Sequence, residues 1–77
     1  MDMRRLVGRN VLRLRRAKGL TQEELEVRSG FSQHYLSGLE RGQRNPTVVT
    51  VWELAQALEV DFRELFAPLP PGMDEPG

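Results

Sequence analysis

The chain has 77 residues, no cysteine and a formal net charge of zero, with 39% hydrophobic side chains. That length holds one domain around a single small core, a size at which support from a partner subunit is common. Absence of cysteine excludes disulfides, zinc–cysteine sites and thiol catalysis; no apolar run approaches the roughly 20 residues that span a bilayer, and no signal peptide is visible. The sequence therefore reads as a cytoplasmic protein.

The zero net charge hides a gradient. Residues 1–20 carry seven basic side chains (Arg4, Arg5, Arg9, Arg13, Arg15, Arg16 and Lys18) against Asp2, a balance of +6. Residues 21–45 balance at −1 and residues 46–77 at −5. A molecule with one positive end suits a polyanion there.

Taken in chain order, the first helix is predicted from Asp2 or Met3 to Lys18. Leu6, Val7, Val11, Leu14 and Ala17 recur at three- and four-residue steps, and Gly19 follows as a left-handed cap. "LTQEEL" opens the second, Gln22 to Ser29: Thr21 is the cap and Glu24 the return partner of a capping box. Gly30 ends it, and Ser32 caps a third helix that stops at Gly42. After the extended loop "QRNP", Thr47 caps a fourth helix, Val48 to Leu58, with Val48, Val51, Trp52, Ala55 and Leu58 predicted on the buried stripe. "VDFREL" repeats the capping box with Asp61 and Glu64, predicting a fifth short helix over Phe62 to Phe66. The tail "APLPPGMDEPG" is rich in proline and glycine and reads as disordered. The fold class is all-α, five short helices, with a domain over residues 1–67 and a tail over 68–77.

Only Phe31 and Ser32 lie between Gly30 and the third helix, a connection so tight that the second and third helices must cross sharply as a helix-turn-helix. On a wheel at about 100° per residue, Gln33, Ser37, Arg41, His34 and Gly38 span an arc of about 140°, while Leu36 and Leu39 fall near 300° and 240°. The leucines face a core; the small polar side chains face outward. Such a face suits a DNA major groove, because glutamine bonds adenine bidentately, serine donates or accepts, and small residues allow close approach. Ser32, Gln33 and His34 stand at the helix start, where base contacts concentrate. Gln22, at the start of the second helix, is placed to clamp a phosphate. The single histidine and absent cysteine argue against a metal site, and no nucleophile–base pair or phosphate loop suggests an enzyme or a cofactor.

"GLTQEELEVRSGFSQHYLSGLERGQRNPTVVTVWELAQALEV" resembles the helix-turn-helix of the phage lambda/434 repressor and Cro-like family, also called XRE. The resemblance runs from about Val7 to Leu65 and rests on "LTQEEL", Gly30, "SQHYLSGLERG", the Asn-Pro loop and "LAQAL". It implies a five-helix domain that binds double-stranded DNA as a dimer, usually as a transcriptional repressor or regulator. By position it makes Gln22 a phosphate contact; Ser32, Gln33, His34, Ser37 and Gly38 base-reading residues; and Arg41, Arg44 and Asn45 backbone contacts. It also implies a structural ion pair between Arg15 and Glu40. Arg4, Arg5 and Arg9 either reach flanking phosphates or solvate the first helix. Glu26 stands where the family usually has alanine, so that either its stem lies along the helix interface or Val27 takes over the packing. The apolar residues around the fifth helix, Val60, Phe62, Leu65, Phe66 and Leu69, are the expected homodimer surface. An alternative for the same scaffold is a protein-interaction module such as an antitoxin.

Overall fold

The computed structural model describes residues 2–73. Four α-helices, α1 (Met3–Ala17), α2 (Gln22–Ser29), α3 (Gln33–Glu40) and α4 (Val48–Leu58), precede a 3-10 helix, Phe62–Phe66. No strand occurs among the described residues. Each helix starts on a side chain that accepts from a free amide: Asp2 from Arg4, Thr21 from Glu24, Ser32 from Tyr35, Thr47 from Thr50 and Asp61 from Arg63. At α2 the capping box is closed in both directions, at 3.0 Å and 2.9 Å. Caps of this kind contribute about 1 kcal/mol each, which matters for helices of only eight residues.

The core gathers Val11 from α1, Leu25 from α2, Leu36 and Leu39 from α3, Leu54, Ala55 and Leu58 from α4, and Leu65 from the 3-10 helix, all with no exposed surface. α1 is the spine: it packs on α3, on the 3-10 helix and on α4, while α2 fills the angle between α3 and α4. Two residues of α1 set these contacts. Gly8 faces the end of α3 so closely that a Cβ there would collide with the carbonyl oxygen of Leu39. Asn10, fully buried, donates from Nδ2 to the carbonyls of Leu65 (3.1 Å) and Ala67 (2.8 Å), and its Oδ1 accepts from Arg13. A buried carboxamide satisfied on both sides holds the end of the 3-10 helix against α1.

Several expectations are corrected. The fifth helix is a 3-10 turn: its bonds run from Glu64 N–H to the Asp61 carbonyl and from Ala67 N–H to the Glu64 carbonyl, and Ala67, which precedes proline, is forced into extended backbone. Its cap is closed by Arg63, whose amide and guanidinium both reach Asp61, in place of the expected Glu64 box. On α4 the buried stripe is Val51, Leu54, Ala55 and Leu58; Trp52, about 100° further round than Val51, is 51% exposed, and Val48, in the overhanging first turn, is 81% exposed. Ala17, the last residue of α1, is exposed as well. Of the predicted tail, residues 68–73 form no helix beyond a turn from Pro70 to Met73, and residues 74–77 lie outside the described residues.

Candidate nucleic-acid interface

α2 and α3 are joined by three residues, with Gly30 at φ +82° turning the chain and the Phe31 and Tyr35 rings 5.4 Å apart beneath it. Leu36 and Leu39 fix α3 from below, leaving Gln33 and His34 exposed at its first turn. Ser32, also exposed, uses its oxygen to cap the Tyr35 amide at 3.0 Å and keeps its O–H hydrogen to donate. Ser37, half-buried one turn on, accepts from Arg41 Nη1 at 2.7 Å, so the guanidinium is drawn along the same face.

Arg44 crosses that face too. Its guanidinium carbon stands 5.7 Å above the centre of the Tyr35 ring, a cation–π distance, and its stem runs over Gly38. A Cβ on Gly38 would lie 2.9 Å from Arg44 Nε. Gly38 is therefore buried and offers no surface to a base; the expectation that it reads one is corrected to a seat for Arg44. The role of Tyr35 as the rail under Arg44 depends on a loop arginine nine residues later that no helical spacing reveals. Asn45, next in the loop, is exposed.

Behind the face lies a buried ionic knot. Arg15 Nε and Nη2 meet Glu40 Oε2 and Oε1 at 2.7 Å and 3.0 Å, and Nη1 donates to the Leu20 carbonyl at 2.9 Å. The two side chains retain 11% and 5% exposure, so the pair sits in a low-dielectric site where bidentate geometry counts. Gln22 donates to Glu40 Oε1 at 2.9 Å and joins α2 to the same knot, a contact the sequence reading had not given it. The question left open at Glu26 is answered by a third arrangement: its Oε1 accepts from the Gln33 amide at 3.1 Å, while Val27 is 85% exposed.

Away from the outward side of α3 itself, an apolar surface remains uncovered. The Trp52 and Phe62 rings meet at a tilt of 58° with 6.0 Å between their centres, Phe66 is 39% exposed, and a cleft of about 130 Å³, rimmed by Arg4 and Asn45, opens between Met3, Val7, Val48, Val51 and Phe66. Leu65 is fully buried in its own chain, so it belongs to the core and is removed from the expected dimer surface; Val60 is half-buried against the core. No cluster of three or more potential metal ligands, and no helix long and apolar enough to cross a membrane, occurs among the described residues. The basic residues of α1 are partly engaged, Arg4 with Asp2 and Arg13 with Asn10.

A family model described as Helix-turn-helix matches residues 11–65, which include the whole of α2 and α3. The chain belongs to the XRE-type helix-turn-helix family. Its relatives are regulators rather than enzymes. This helix-turn-helix chain is 72% identical over 68 residues to the uncharacterized HTH-type transcriptional regulator y4dJ of Sinorhizobium fredii, covering 88% of each chain. The solved restriction-modification controller protein C.AhdI from Aeromonas hydrophila is 46% identical with a TM-score of 0.78, over 82% of this chain and 96% of that one. A second controller protein, C.Esp1396I, solved as a tetramer in complex with its natural 35 base-pair operator, is 32% identical with a TM-score of 0.78, over 86% and 91%.

Proposed function

We propose that this chain is a sequence-specific regulator of transcription, acting as a repressor, that binds double-stranded DNA as a homodimer and reads the major groove with α3. The observation that carries this reading is the two-sidedness of α3: Leu36 and Leu39 are fully buried while Gln33 and His34 stand in solvent. Gln33, His34, Ser32 and Ser37 are then the base-contacting residues, and Arg41, Arg44 and Asn45 take phosphates beside them. Gln22, with a second N–H to give, takes a phosphate at the start of α2. The operator complex of the C.Esp1396I controller protein supports the assignment by likeness.

The homodimer is proposed to close over Trp52, Phe62 and Phe66, aromatic surface that a monomer of this size leaves wet. A two-fold pair of this kind sets half-sites about one helical turn apart, ~34 Å. Selection of bound duplexes from a random pool tests the reading. It should enrich a dyad-symmetric motif with that spacing; recovery of no motif would favour the protein-interaction role instead.

A further inference from the structure

The first amides of a helix carry partial positive charge and ordinarily welcome a phosphate. In α3 that position is already taken by a carboxylate from the neighbouring helix: Glu26 Oε1 accepts from the Gln33 N–H at 3.1 Å, and the Ser32 hydroxyl occupies the amide of Tyr35. Glu26 is half-buried, held by α2, and Gln33 stands exposed beside it. The nearest arginines of the face are anchored further along, Arg41 on Ser37 and Arg44 over Tyr35. Arg28, on α2 itself, is turned to Glu59 at 3.2 Å. Each of these three cations is thus engaged away from Glu26, and a full negative charge outweighs the half charge of the helix end.

We propose that Glu26 is a specificity-determining residue that does not itself hold DNA: its carboxylate keeps the DNA backbone away from the start of α3, so that only duplexes offering the right base edges to Gln33 and His34 gain from close approach. A helix end with open amides binds any phosphate and strengthens contacts with every sequence alike. Occupied by an anion, the same end penalises backbone-only docking and leaves affinity to the side chains that read bases. The effect is electrostatic and acts on unselected DNA more than on the operator, where base contacts hold the groove in register. This inference rests on the reading of α3 as the groove-entering helix.

The test compares the intact chain with Glu26→Gln, which keeps an oxygen to accept from Gln33 and removes the charge, and with Glu26→Ala. Each is titrated, by fluorescence anisotropy at low salt, with the operator selected by the unaltered chain and with a scrambled duplex of equal length and composition. The ratio of the two affinities within one preparation is insensitive to the fraction of folded protein. Expected is a tightening on scrambled DNA of roughly threefold for both variants, with a smaller change on the operator, so that discrimination narrows. An unchanged ratio in Glu26→Gln would overturn the inference, and so would narrowing confined to Glu26→Ala, which would assign Glu26 to capping alone. If the unaltered chain prefers no duplex, the DNA reading itself fails; if it prefers the operator and only the Glu26 result is flat, that reading stands without this one.

Discussion

Single residues decide how tightly α1 and α3 meet. Gly8 has no room for a methyl group against the Leu39 carbonyl, a backbone atom that cannot rotate aside. Gly8→Ala would gain helix propensity on paper, yet should lower stability by about 1–3 kcal/mol through forced separation of the helices, read as a drop in thermal midpoint. A rise in midpoint would mean that the interface gives way freely. Glu40 is the second such point, because Arg15 and Gln22 both depend on its carboxylate. Replacing it by glutamine leaves the Arg15 charge buried with no counter-charge, and chemical denaturation should report a loss of about 3–5 kcal/mol. A loss under 1 kcal/mol would show the pair to be hydrated and of the ordinary surface kind.

At the scale of elements, the short helices are held by their ends. Asp61 caps the 3-10 helix, and the Arg63 side chain and amide beside it hold its carboxyl down from 3.8 to about 2. The lowered value makes the folded state the weaker proton binder, so Asp61 stabilises the fold fully above pH 3.8 and the benefit is lost as pH falls towards 2. Asp61→Asn should therefore lower stability at neutral pH and flatten the acid limb between those two pH values, so that the two proteins converge near pH 2; superimposable curves would refute the link. Asp2 and Glu24, lowered by Arg4 and by Thr21 respectively, act in the same direction at α1 and α2. The caps Thr21, Ser32, Thr47 and Asp61 were legible in the sequence because capping is local, its partners two or three residues apart; Asp2 was legible only as a possible first residue of α1. The four α-helices were legible for the same reason. Their relations were less so: the side of α4 that faces inward, the 3-10 form of the last turn and the burial of Leu65 are decided by which elements fill the core. Asn10 had left a trace, a polar side chain four residues after Leu6 and three after Val7 on an apolar stripe, but its partners Leu65 and Ala67 lie 55 and 57 residues away. The Arg44 seat on Gly38 left none.

The molecule as a whole has an exposed polar face on α3, proposed to read bases, and an uncovered aromatic surface on α4 and the 3-10 helix. The proposed association through that surface rests on Trp52, Phe62 and Phe66, each between 39% and 51% exposed in the single chain. Phe66→Asp, which sets a charge in the cleft beside Met3 and Val48, should shift sedimentation from dimer to monomer and weaken operator binding at least tenfold, since two half-sites are then held separately. Persistence of the dimer would place the interface elsewhere. The proposed function turns on whether the outward side of α3 meets bases. The most direct measurement is the affinity of Gln33→Ala for the selected operator and for each single-base variant of it. The account predicts a loss of about 1–3 kcal/mol on the operator, with discrimination relaxed at one base pair per half-site and retained at the others. An equal loss on every duplex, or no loss, would contradict it.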